Sequence, residues 1–121
     1  MDKRSIIHID ISTHDSPTSA EFYKTVFGWE HQTNAEYDYT MFSTENGGGG
    51  FIKIGENGVQ QGDIVFFIDS HDIDADLATV ESNGGKRLTD RIEMPGFGAM
   101  AYFSDPAGNK IGLWQSADDE S

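Results

Sequence analysis

Asp72-Ile73-Asp74-Ala75-Asp76 sets carboxylates at alternate positions, the spacing with which a calcium-binding loop begins. Leu77 stands where such a loop needs its sharp-turn glycine, and Asn83 where it needs a bidentate glutamate. The run therefore reads as the acidic first turn of a helix, where carboxylates meet the positive end of the helix dipole. Gly47 to Gly50 lacks the Lys-Ser/Thr that a phosphate loop requires and reads as a mobile hairpin connection or the rim of a pocket. His14, His31 and His71 fall at element ends without an identifiable partner and are taken as surface residues. The absence of cysteine removes disulfides, thiolate metal sites and a cysteine nucleophile together.

Charge narrows the partners. The 121 residues carry 8 basic and 21 acidic side chains, a formal net charge of -13. Nucleic acids and anionic membranes draw affinity from clustered cations, so both are excluded as partners. The densest basic pairs, Lys3-Arg4 and Lys86-Arg87, read as solvated charge, and the acidic surface as a solubility or salt-adaptation feature. The longest unbroken apolar run is Ile64 to Ile68, too short to span a bilayer, and no signal-length apolar segment follows Met1 to Arg4. A cytoplasmic protein with one domain over residues 1–121 is expected.

The elements follow from local pattern. Ile7, Ile9 and Ile11 alternate with His8, Asp10 and Ser12, the period of a strand with one apolar and one polar face. Ser16 followed by Pro17 predicts a helix cap and then proline at the first helical position, Ala20, Tyr23, Val26 and Phe27 recur at helical spacing, and Gly28 supplies the stop. Extended stretches follow at Trp29 to Thr33, Tyr37 to Thr44 and Phe51 to Ile54. The order then repeats, with a strand at Asp63 to Asp69, a helix at Ile73 to Ser82, and strands near Arg87 to Leu88, Ala99 to Ser104 and Lys110 to Gln115. An offset of about 55 residues carries His8 onto Asp63. The expected fold class is α+β, with two tandem βαβββ modules (about 5–55 and 62–115) and a polar, acidic tail at 117–121. Each module hides one sheet face under its helix, and the other faces are expected to form a curved mixed sheet with a concave, ligand-sized cup.

Phe22-Tyr23-Lys24-Thr25-Val26-Phe27-Gly28-Trp29, with Asp105-Pro106-Ala107-Gly108-Asn109-Lys110-Ile111-Gly112-Leu113 far downstream, resembles the vicinal oxygen chelate superfamily, which includes glyoxalase I, bleomycin-resistance proteins and extradiol dioxygenases. The resemblance covers nearly the whole chain. It implies paired βαβββ modules around a cup, frequent homodimers, and in many members a divalent metal held from the first and last strands of each module. Carried over by position, the corresponding residues are His8, Lys53, Asp63 and Gly112. Only His8 is a typical family ligand. The last-strand frame, where metal enzymes usually hold a glutamate, reads Ile111-Gly112-Leu113. A catalytic metal wants about three protein ligands, and His8 and Asp63 supply at most two. Asp10 shares a strand face with His8, yet two residues along a strand is roughly 7 Å. Should Lys53 face inward, its ammonium can take the place of the metal and pair with Asp63.

Alternation also turns Ile64, Phe66 and Ile68 toward the second helix and Asp63, Val65 and Phe67 toward the cup. Tyr102, Gly112 and Trp114 join them from the last two strands, with Trp29 and Phe97 near the rim, and a strand glycine often marks close approach by a ligand or backbone. Large aromatics are more often core than binding wall. Two functions are weighed. The first is a metal-free, bleomycin-resistance-like protein binding a small organic molecule through His8, Asp10, Lys53, Asp63, Phe67, Tyr102, Gly112 and Trp114, as a homodimer without a cofactor. The second is a lyase, isomerase or dioxygenase with one divalent metal ion on His8 and Asp63. Metal-free acid/base chemistry by those two residues is a further option, so whether the chain is an enzyme stays open.

Overall fold

The computed structural model describes residues 2–119 and is α+β, with two helices and nine strands among those residues. Its contacts group into two compact units, one spanning His8 to Val65, the other joining the residues up to Ile7 with those from Phe66 onward.

In the unit from His8 to Val65, β1 (Ile6–Thr13) leads into α1 (Ser16–Phe27), followed by β2 (Glu30–Asn34), β3 (Tyr39–Ser43) and β4 (Gly48–Lys53). β2, β3 and β4 form an antiparallel meander, and β4 returns parallel to β1 with Asp10 opposite Gly50 and Thr13 opposite Lys53. Pro17 sits in the first turn of α1, one position later than the sequence predicts, and Gly28 closes the helix in the left-handed region at φ 78° as predicted. The N-cap is Asp15 and not Ser16. Ser16 is buried, and Thr13 Oγ1 accepts from the Asp15 N–H at 3.0 Å and shares a proton with Ser19 Oγ at 2.6 Å, which turns the chain into the helix. Ala20, Phe42 and Phe51 are buried together, with Ile11, Tyr23 and Trp29 packed against them. Trp29 stacks between Tyr23 (ring centroids 4.9 Å apart) and Phe42 (4.6 Å), so this aromatic is core, not rim. Gly48 to Gly50 are strand and not connection, since β4 begins at Gly48, and Gly47 alone stays in the connection, where its carbonyl accepts from Thr44.

The other unit contains most of β5 (Ile64–Asp69), then α2 (Ile73–Ser82), β6 (Lys86–Arg87), β7 (Ile92–Met94), β8 (Gly98–Ser104) and β9 (Lys110–Ser116). β9 runs parallel to β5 and antiparallel to β8, and the short β6 and β7 pair with opposite ends of β8. The sequence pattern misses β7, a three-residue strand too short to show alternation. Ile73, Leu77, Ala99, Ala101, Phe103, Ile111 and Leu113 form the core, with Phe66, Ile68 and Val80 against it. Phe66 and Ile68 thus face α2 as expected, whereas Ile64, before the helix-covered stretch, is 66% exposed.

Capping of α2 is shared by two side chains, Asp72 and Gln115. Asp72 accepts from the Ala75 N–H at 3.1 Å, the usual N-cap bond. The buried Gln115 reaches from β9 to accept from the Ile73 N–H at 3.1 Å and from Arg91 at 2.9 Å. Asp76 does not serve the helix end but binds Arg4 through both carboxylate oxygens at 2.7 Å and accepts from the buried Ser70 hydroxyl at 2.6 Å. Arg4 is therefore a structural clamp and not a freely solvated charge, and it also donates to the Asp69 carbonyl. Arg87 likewise pairs with Glu81 and Asp90. The β8 to β9 turn is held by Asp105, which accepts from the Ala107 and Asn109 N–H groups at 3.0 and 2.8 Å. These bonds, led by those from Asn109, keep the Asp105 carboxyl below the ordinary carboxylate range. Of the acidic tail, Ala117–Asp119 form a single 3-10 turn, and Glu120 and Ser121 lie outside the described residues.

Candidate functional site

The polar face of β1 contains a buried carboxylate. Asp10 is 4% exposed, whereas Ile7 and Ile9 on the other face are 41% and 39% exposed, the reverse of simple alternation. A buried carboxylate is costly unless it is hydrogen-bonded. Asp10 Oδ1 accepts a short hydrogen bond from the Tyr39 hydroxyl and lies 2.9 Å from His8 Nε2, which is itself 2.7 Å from the Tyr39 oxygen. Imidazole, phenol and carboxylate thus close a triangle. His8 and Asp10 meet directly although they sit two residues apart on one strand, because their side chains converge above it. The Asp10 side chain is 6% exposed and that of His8 29%, so the triangle is buried at the carboxylate and reaches the surface at the imidazole.

Tyr39 reaches Asp10 only because Gly50 lies between them. A Cβ on Gly50 would collide with the Tyr39 hydroxyl and ring. Sequence reasoning missed Tyr39 because nothing local marks it: it lies 29 residues from Asp10 and 31 from His8. Its only signal is the small residue at position 50, inside the run Gly47 to Gly50.

The remaining carried-over positions fall elsewhere. The Lys53 side chain is half exposed at the end of β4 and pairs with Asp38, not Asp63. That bond, with the charge of Asp38, raises the Lys53 ammonium above its ordinary range. Asp63 precedes β5; its carboxylate accepts from the Gln60 N–H at 2.9 Å and its carbonyl from the Ser12 N–H at 3.1 Å, so it serves a turn and a strand pairing. The repeat offset explains the displacement of Asp63, and strand pairing that of Lys53. The helix caps Asp15 and Asp72 are 57 residues apart, so Asp63 is not the counterpart of His8; Val65 is. The same offset makes Phe67 the counterpart of Asp10. Asp10 stands opposite Gly50 and Phe67 opposite Gly112, so Gly50, not Lys53, corresponds to Gly112.

In the unit from Phe66 onward, Phe67 and Tyr102 are 3% and 0% exposed and meet edge to face at 5.6 Å. The Lys110 ammonium lies 4.7 Å over the Tyr102 ring. The close approach expected at Gly112 is made by the Phe67 ring, which a Cβ at 112 would strike. Trp114 is only half-buried, and Phe97 is 44% exposed.

Metal ligation needs about three donors. Gly50 and Gly112 offer no donor atom, the Asp63 carboxylate is engaged by Gln60, and no group of three or more His, Cys, Asp or Glu among the described residues is placed to hold an ion. The donor set does not fit a three-ligand metal centre built from the described residues. No helix among them is long and apolar enough to cross a membrane.

Comparison with known proteins gives a consistent lineage. The chain is 27% identical over 124 residues to the anthracycline biosynthesis protein DnrV of Streptomyces peucetius, covering 88% of this chain and 45% of that protein. It is 29% identical over 111 residues to a glyoxylase-like domain-containing protein of Didymella fabae, covering 84% and 85%. Like the match to DnrV, those to two mycobacterial proteins at 25% identity cover 89% of this chain but only 44% of theirs, so the chain spans about half the length of these curated relatives. In fold it is similar to a methylmalonyl-CoA epimerase solved with methylmalonyl-CoA and ammonium, with a TM-score of 0.66, 22% identity and 96% of each chain covered. The family profile matches residues 5–113, nearly the whole of both repeats, and the chain belongs to the Glyoxalase/Bleomycin resistance protein/Dioxygenase superfamily.

Proposed function

We propose that this protein binds a small organic molecule without a catalytic metal, with the His8–Asp10–Tyr39 triangle as the polar anchor of the site. The observation that carries this reading is a carboxylate nine-tenths buried yet linked through His8 to the surface. Polar groups of this kind, few and fixed among apolar surroundings, orient ligands in small-molecule sites. Lys53 and Asp63, bonded to Asp38 and Gln60, take no part in it, and Phe67, Tyr102 and Gly112 contribute packing. A net charge of -13 favours neutral or cationic ligands over anions. The family's metal enzymes, whether lyase, isomerase or dioxygenase, are the competing reading, and the donor set argues against it. The proposed working form is a cytoplasmic homodimer, for which the exposed Phe22, Val26 and Phe27 of α1 offer an apolar surface.

Elemental analysis and native mass spectrometry of the purified protein test all of this together. The expected result is a metal-free dimer retaining a low-mass organic ligand, lost in Asp10→Ala. Stoichiometric divalent metal that disappears in His8→Ala would overturn the reading in favour of the enzyme.

A further inference from the structure

We propose that Tyr39 is a positioning residue that, through the window left by Gly50, fixes the tautomer and orientation of the His8 imidazole. A carboxylate only accepts hydrogen bonds, so the atom 2.9 Å from Asp10 Oδ1, His8 Nε2, carries the proton. The Tyr39 hydroxyl gives its own proton to Asp10, and its oxygen, 2.7 Å from Nε2, shares the imidazole proton. Two protons thus serve three heavy-atom contacts without two acceptors facing each other. The ring pair adds a second restraint, since the His8 and Tyr39 rings lie nearly parallel, 29° apart with centroids 6.3 Å apart. Nε2 is thereby committed to the protein as a donor. Second-group control of this kind decides which nitrogen of a histidine does chemistry or binding.

Gly50 is the other half of the device. It stands opposite Asp10, and any side chain there would occupy the position of the Tyr39 hydroxyl. The glycine is conformationally ordinary strand, so its value lies in the space it leaves and not in a special backbone angle. That this device serves ligand binding rests on the function proposed above; the placement of the proton does not.

Nitrogen-15 NMR of the histidine side chains in the ligand-free full chain near neutral pH separates the two. His8 is expected to show a protonated Nε2 with a slowly exchanging proton signal. Tyr39→Phe keeps the ring and removes the hydroxyl, and Gly50→Ala displaces it; each is expected to lose the slow Nε2–H signal while circular dichroism stays native. A wild-type His8 with an unprotonated Nε2, or an unchanged Nε2–H signal in Tyr39→Phe, would overturn the proposal. The wild-type spectrum decides the tautomer even if a variant fails to fold. If the protein retains no ligand but His8 shows this tautomer, the function fails and the positioning role stands.

Discussion

Phe67 and Gly112 stand opposite each other in β5 and β9, and the ring of one fills the space that a side chain on the other would need. A glycine on the strand where relatives of this family often hold a metal-binding glutamate is thus explained by packing within the chain. Gly112→Ala should destabilise the protein by about 1–3 kcal/mol, the usual cost of overpacking a filled core. Phe67→Ala combined with Gly112→Ala should cost less than the sum of the single changes, because the first removes the clash created by the second. Urea unfolding of the three variants measures both effects; strict additivity would show that the ring and the glycine are not coupled.

Asp76 sets an acid limit on stability. Burial pushes its carboxyl up, but the Arg4 and Ser70 hydrogen bonds and the Arg4 charge outweigh this and hold it below the ordinary carboxylate range. The folded value lies below the unfolded one of about 3.9, so this contribution is fully present above that pH and is lost as pH falls through the folded value. Asp76→Asn should lower stability at neutral pH by about 1–3 kcal/mol and flatten the loss on acidification below about pH 4. Unfolding midpoints measured across that range report the difference, and parallel curves for the two proteins would remove Asp76 from the account.

Gln115 joins β9 to the start of α2. Gln115→Leu keeps the volume but leaves the Ile73 N–H without the acceptor it has at 3.1 Å, an expected cost of about 1–3 kcal/mol. Amide hydrogen exchange should quicken first at Ile73 and its neighbours. Uniform change across the whole domain would point to a general loss of packing instead.

Lys53 is bonded to Asp38 at the end of β4, away from the triangle. Lys53→Ala should leave the mass and occupancy of any retained ligand unchanged in native spectra, while Asp10→Ala removes it. Equal losses in both variants would return Lys53 to the site.

Features that depend on near neighbours are readable from the residues alone. The span of α2 and the stop at Gly28 follow from helical spacing, proline and glycine, each of which acts on its own backbone within a few residues. The repeat and the family are legible for the same reason, since their motifs are local. Registers and triangles are not. His8 paired with Asp63 looked reasonable at an offset of 55 residues, and only the caps at Asp15 and Asp72 show it to be 57. Such a shift is invisible in period-2 alternation, because two residues return every side chain to the same face. Tertiary structure alone decided that Tyr39 crosses Gly50 to reach Asp10, and that Phe67 covers Gly112. Both depend on which residues stand opposite each other on paired strands, and strand pairing is a long-range choice that no local pattern encodes.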